Sequence, residues 1–405
     1  MRHDLRMEYI KFSLVEALFF AIFSITSYQT VFLQEAGLDS SEIGLIVSVS
    51  SVVGLIAVPV WGIISDRLHT ARKTFFVSVA ITSVMYGILP VVGNFADSGG
   101  AVFYIYIPLI FLFKQASNSM LDSWCISELS PKGISYGSVR MWGSVGYSLI
   151  SIALGFLIGV YYDVSIAFYL IIPLIALLLM ISPQKEGITG KNEEVSRDTG
   201  KNNNYFRALF KNHTFLAYII YAFGLNIYLA VTLIFMPYIL LEANCQTGQV
   251  GLVTGIRALI EISTMYFGSR CVKKIPIRYI MIVPGILFGL EHLLYQYAAN
   301  IYGILAIMVL SGAAGGIFYS LGPSYIYEIV PEEVRNTAQA CNAMNMTIVS
   351  IVGSLIGGYV INIWGIHALT TSCGILIFVL TVLFIISLKL KHSGLFNFLN
   401  RSSKN

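Results

Sequence analysis

The chain has 405 residues, of which 56% are hydrophobic and 11% charged, with a mean hydropathy of +0.76; an ordinary globular domain is about 25% charged. That balance excludes a water-soluble globular protein and leaves little chain for a soluble domain. A net charge of +4, which in a soluble protein would raise nucleic-acid binding, here reports topology through its placement, and no nucleic acid is expected as a partner.

In chain order, apolar runs long enough to cross a bilayer, roughly 20 residues each, are predicted near 10–33, 43–64, 74–92, 101–127, 139–160, 164–181, 215–241, 250–267, 277–298, 301–329, 338–364 and 368–390. The first follows Arg2, Arg6 and Lys11 as a signal peptide would. It is too long for one and has no clear small-residue cleavage site, so it reads as an uncleaved first helix carrying Glu16. With both termini cytoplasmic, every even helix returns to the cytoplasm. Of the 25 Lys and Arg, all but Lys114 and Arg257 then fall at cytoplasmic loops, ends or helix starts, as the positive-inside rule requires.

After the second run comes GIISDRLHTARK, Gly62 to Lys73, and after the eighth a similar glycine with a basic cluster, GSRCVKK, Gly268 to Lys274. This weak internal symmetry is of the kind that transporters with parallel repeats show. The fourth run carries Lys114, Asn118 and Asp122 at i, i+4, i+8, on one helical face, and a polar stripe in lipid must face protein or water. Across the turn SPKGISYG, Asp122 and Arg140 each lie nine residues from Pro131. Antiparallel helices meeting there put both side chains roughly 10 Å from the turn, at 1.5 Å per residue. Ionisable residues inside a span are costly unless paired or wet. A carboxylate beside a guanidinium fork suits vicinal hydroxyls, or else pins two helices together.

The polar stretch 182–213 divides the runs six and six and resists packing, giving an N-terminal bundle over 1–182, a cytoplasmic linker over 183–213 and a C-terminal bundle with a short cytoplasmic tail over 214–405. The eighth run holds Arg257 and Glu261 as an i, i+4 pair, and the ninth holds Glu291 and His292. Glu291 is a candidate partner for Arg257, and His292 reads as a packing residue or a titrating one. No GxxxxGK[ST] loop is present, against an ATP-driven pump. The five cysteines and the histidines show no metal-ligand spacing.

GIISDRLHTARK resembles the loop signature of the major facilitator superfamily, and that resemblance covers essentially the whole chain. It implies an all-α polytopic membrane protein of twelve transmembrane helices in two pseudo-symmetric six-helix bundles. It also implies a gating latch of Gly62, Asp66, Arg67, Arg72 and Lys73, although His69 stands where glycine is usual and the basic pair arrives one residue late. YGSVRMWGSVGY is similar to the matching stretch of the lactose permease-type oligosaccharide:proton symporters. The likeness implies sugar binding by Asp122 and Arg140, with Tyr147 where that branch has a stacking tryptophan and Asp122 where it has a longer acid. Asn118 and Lys114 join the candidate substrate site by their shared face.

The branch's charged coupling residues on the tenth helix are replaced here by Leu310, Ala313 and Gly316, so its coupling scheme does not carry over. A proton would instead use Glu261, with Arg257 beside it, and then Glu291 or Glu16; His292 is a further candidate. The expected function is secondary transport without a cofactor, driven by an ion gradient, as proton-coupled uptake of a sugar, oligosaccharide or similar hydroxylated solute. The expected setting is a monomer in the plasma membrane, its partners a small-molecule substrate and the lipid bilayer. The competing readings are a proton-driven antiporter exporting amphipathic compounds and a membrane receptor or scaffold without a wet pathway.

Overall fold

Twelve helical rods run through the computed structural model, which describes residues 2–68, 71–94, 100–181, 209, 211–271 and 275–392. They are α1 (Leu5–Glu35), α2 (Ser40–Leu68), α3 (Ala71–Asn94), α4 (Phe103–Leu129), α5 (Tyr136–Tyr161), α6 (Ser165–Ile181), α7 (His213–Glu242), α8 (Val250–Cys271), α9 (Ile277–Tyr297), α10 (Ile301–Ile329), and then α11 (335–364) and α12 (366–392). The last two join at Gly365, whose φ of 79° and ψ of 172° break the helix; that positive φ is readily open only to glycine. Each rod closes its backbone hydrogen bonds within itself, the condition for a chain segment in hydrocarbon.

Eight stretches are long and apolar enough to cross a bilayer, the last of them, Thr337–Lys389, holding both α11 and α12. Three rods fall outside that set. α6 is short, and α4 carries Lys114, Asn118 and Asp122, which lower its hydropathy. Most of the predicted linker, and His69 in the α2–α3 loop, lie outside the described residues.

The packing repeats. In the first half α1 packs on α5 and α6, and α4 on α2 and α3, with α3 also on α6. In the second half α7 packs on α11 and α12, α10 on α8 and α9, and α9 on α12. Adding six to each number of the first set gives the second. The two halves meet through α2 with α11 and α5 with α8, a pair of contacts that the same shift exchanges.

All cross-half hydrogen bonds among the described residues lie toward one end of the bundle. Tyr28 donates to the Gly248 carbonyl, Ser40 and Ser41 to that of Gly358, Ser51 shares a hydrogen bond with Ser350, and Gln246 donates to the Tyr162 hydroxyl. There Gly44 and Gly358 bring α2 and α11 into backbone contact, the small-residue packing expected between membrane helices. At the opposite end, where the chain begins and α12 ends, Gly62 is exposed, and a Cβ there would meet nothing within 4 Å. Gly62 therefore makes no close helix approach in this conformation, and the cross-half hydrogen bonds among the described residues lie toward the other end.

The run SGAAGG on α10 does pack tightly, with Gly312 and Gly316 against the α8 backbone at Arg257 and Glu261. On the other side Gly146 of α5 lies against the Ala17 backbone of α1. Backbone cannot move aside as a flexible side chain can, so Gly146→Val is expected to separate α1 from α5 and cost about 3 kcal/mol, the upper part of the range for overpacking. Size-exclusion profiles and thermal unfolding of the purified variant would check this; a wild-type profile would contradict it.

Candidate functional site

Two polar clusters occupy the helix interiors, one in each half. In the first, Glu16 of α1 is fully buried; Cys125 of α4 donates to its Oε1 at 3.5 Å, and its Oε2 has no hydrogen-bond partner. Asp122 of α4 accepts a 2.5 Å hydrogen bond from the Tyr136 hydroxyl, one helical turn before Arg140 on α5. The Arg140 guanidinium lies over the Phe20 ring, 3.9 Å from its centroid, and within electrostatic reach of both Asp122 and Glu16.

The predicted meeting of Asp122 and Arg140 is therefore a shared cluster rather than a direct contact, and no ion pair joins them. Tyr136 takes the carboxylate and the Phe20 face holds the guanidinium, a cation–π contact. Two carboxylates and one planar fork of donors remain with capacity to spare. Tyr136 is a residue the sequence reading missed. Its signal was present, an aromatic hydroxyl four residues before Arg140 and so on the same helical face.

Asn118 keeps a buried Oδ1 without a partner. Lys114, assigned by spacing to the same stripe, has different surroundings: it donates to the Tyr86 hydroxyl at 3.4 Å and sits among the rings of Phe111, Phe23 and Tyr86. Tyr147 shares a 3.0 Å hydrogen bond with Ser27 of α1 and lies within electrostatic reach of Arg257 on α8, which puts it at the seam between the halves.

In the second cluster the Arg257 Nη1 meets Glu261 Oε2 at 2.7 Å, and its guanidinium lies 5.7 Å from the centre of the Tyr228 ring. The suggested partnership of Arg257 with Glu291 is not a direct one. Glu291 is fully buried and its Oε1 accepts from Tyr295 at 2.7 Å and Thr232 at 3.3 Å, while its Oε2 has no partner. Arg257 reaches it only electrostatically.

His292 is fully buried, with Nδ1 at 2.8 Å from the Phe288 carbonyl and its ring edge-on to Tyr228 and Tyr295. Thr232 comes from a π-helical turn of α7, Leu229–Leu233, an irregularity found often at functional sites. Tyr228, Tyr295, Thr232 and that turn were also missed, because a threonine and tyrosines inside an apolar run give no periodic signal. Of the predicted latch, Arg67 and Lys73 are exposed and Arg72 is half-buried, its guanidinium 5.9 Å from the centre of the Phe76 ring. The side chain of Asp66 lies outside the described residues.

Two packed halves related by a six-helix shift, each carrying buried charge, define a membrane transporter of the major facilitator type. The chain belongs to the MFS_1 like family, whose model matches residues 9–391. It is similar to an uncharacterized transporter, YwbF, of Bacillus subtilis (24% identical, over 85% of this chain and 84% of that one). It is also similar to the maltose permease of Geobacillus stearothermophilus (22%, 87% and 87%) and the lactose permease of Klebsiella oxytoca (22%, 67% and 68%). Among solved structures, the nucleoside transporter NupG shares the fold at 16% identity with a TM-score of 0.79, over 94% of this chain and 99% of that one.

Proposed function

We propose that the protein is a proton-coupled symporter that takes up a sugar, oligosaccharide or similarly hydroxylated solute across the plasma membrane, as a monomer with both termini cytoplasmic. The observation that carries this reading is the α4–α5 cluster, in which Asp122 and Arg140 face one region without neutralising each other. A neutral polyol bridges such a pair, giving hydroxyl protons to the carboxylate and receiving the guanidinium's donors. Asn118 supplies a further acceptor, and Tyr147 an aromatic face at the seam.

The names of the maltose and lactose permeases support a saccharide, and the likeness to NupG leaves a nucleoside, also rich in hydroxyls, within the class. Export of amphipathic cations is the weaker reading, because Arg140 would repel the cargo at the same cluster. Under the positive-inside rule the end that holds Gly62 faces the cytoplasm, where Gly62, Asp66, Arg67, Arg72 and Lys73 would form a gating latch. The coupling acid is drawn from Glu261, Glu291 and Glu16. Glu261 already holds Arg257 at 2.7 Å, whereas Glu291 holds no cation, so Glu291 now leads; His292 lies beside it in the chain.

The test is solute-induced proton movement in liposomes containing the purified protein, across mono- and oligosaccharides and nucleosides, with Asp122→Asn as control. External alkalinisation for one solute class, lost in the control, is the expected result. Silence across the panel from folded protein would refute the reading.

A further inference from the structure

The C-terminal half holds more unsatisfied polar atoms than the proposed proton step uses, and they gather around one face of α10. Ser311, Gly315 and Tyr319 follow one another there at i, i+4, i+8. A Cβ on Gly315 would meet Glu261 Oε2 at 3.4 Å and Arg257 Nη1 at 3.6 Å, so the α8 ion pair lies against α10 between the two hydroxyl residues. Ser311 is fully buried and lies beside both Glu291 of α9 and Tyr228 of α7. Its Oγ completes a hydrogen bond with neither, and Glu291 Oε2 and the Tyr228 and Tyr319 hydroxyls are equally without partners.

A serine inside a helix ordinarily returns its proton to a carbonyl one turn back, as Ser320 of the same helix does to Gly316 at 2.6 Å. Ser311 does not, so its proton is free to turn. Tyr228 is held in place, its ring stacked 4.4 Å from Phe288 and the Arg257 guanidinium 5.7 Å from its centre; only its hydroxyl hydrogen can move. Glu291 Oε1 is occupied by Tyr295 and Thr232, which leaves Oε2 as the oxygen a proton would take. His292, next in the chain, turns Nδ1 to the Phe288 carbonyl. On its remaining side α9 meets Gly374, Phe378 and Thr381 of α12, which carry no charge.

A hydroxyl both donates and accepts, so a row of two can run in either direction. With Glu291 ionised, Ser311 donates to Oε2 and accepts from Tyr228. With Glu291 protonated, Oε2–H donates to Ser311 and Ser311 donates to Tyr228. Tyr228 then turns its hydrogen toward the α8 pair, where the Glu261 carboxylate, within its electrostatic reach, is the acceptor. No covalent bond breaks along the row. We propose that Ser311 and Tyr228 are positioning residues that transmit the protonation of Glu291 to the Arg257–Glu261 pair by reversing this row. That role rests on Glu291 as the titrating acid of the proposed symport.

Infrared difference spectra of the purified full-length protein in liposomes, taken across a pH titration, test the relay without any solute. Glu291→Gln identifies the carboxyl C=O band of Glu291, and Tyr228→Phe the C–O band of Tyr228, which reports whether that hydroxyl donates or accepts. In the wild type both bands are expected to change at the same pH. Ser311→Ala should keep the Glu291 band and lose the accompanying Tyr228 shift, and Ser311→Thr, which keeps the hydroxyl, should restore it. Ser311→Ala has no hydrogen bond to lose, so folding should hold, checked by size-exclusion chromatography; Ser311→Gly is the second hydroxyl-free variant if it does not. A Tyr228 shift that persists without the Ser311 hydroxyl would overturn the relay and leave Glu291 as the acid, as would a wild-type Tyr228 band indifferent to Glu291. Absence of any titrating Glu291 band would overturn both.

Discussion

Arg140→Lys is expected to weaken substrate binding by roughly ten- to a hundredfold while the protein stays folded. The guanidinium is planar and presents a fork of donors, and it stacks 3.9 Å from the centre of the Phe20 ring. A lysine keeps the charge, loses the fork and the flat face, and cannot hold two hydroxyls at once. One charge-assisted hydrogen bond lost is worth about 1.5–3 kcal/mol, which converts to that range of affinity.

Folding should survive, because Arg140 makes no ion pair whose removal would strand a buried carboxylate. Asp122→Asn should have a loss of similar size, since Tyr136 can still donate to the amide oxygen while the charge that holds a solute hydroxyl is gone. Tyr136→Phe should be milder and separate orientation of Asp122 from its charge. Equilibrium binding of the transported solute to purified variants measures all three. Near-wild-type affinity in both Arg140→Lys and Asp122→Asn would remove the cluster as the substrate site.

The fold was legible because each apolar run is interrupted by polar residues that cannot stay in hydrocarbon, so the loops announce the rods. The break between α11 and α12 was visible as WGIH, and the structure shows why, with Gly365 in a positive-φ conformation. The polar stripe of α4 was legible as well, though its direction was not. An i, i+4, i+8 series turns by about 40° at each step of a 3.6-residue helix, so Lys114 and Asp122 point roughly 80° apart. That drift takes Lys114 toward α1 and α3 and leaves Asp122 toward α5.

In the second half, Arg257 was correctly placed beside Glu261 by the i, i+4 rule. The suggested link to Glu291 across α8 and α9 failed as a direct contact because the guanidinium had a nearer carboxylate on its own helix. What surrounds Glu291 depends on the π-helical turn of α7, and a single extra residue in a turn has no signature in an all-apolar run.

Glu291→Gln is expected to abolish uphill accumulation of solute and to spare solute exchange at equilibrium. Glutamine is isosteric, and its amide oxygen can accept from Tyr295 and Thr232 as the Oε1 does at 2.7 and 3.3 Å, so packing and the solute site should persist. What is lost is an exchangeable acidic proton in a pocket with no cation within ion-pair distance among the described residues. A carrier with the solute site intact still exchanges labelled for unlabelled solute, whereas accumulation against a gradient needs the proton step.

Glu261→Gln makes the contrast. It strips the partner from Arg257, whose side chain is 10% exposed, and leaving a buried charge unpaired destabilises by about 3 kcal/mol or more. That variant should lose folded protein, and Arg257→Gln on the same chain should restore it by removing the stranded charge. Proteoliposome accumulation and exchange assays, run side by side with thermal unfolding, separate these outcomes. Proton-driven accumulation by Glu291→Gln at the wild-type level would take coupling away from Glu291. Loss of accumulation with retained exchange in a folded Glu261→Gln would hand it to the α8 pair instead.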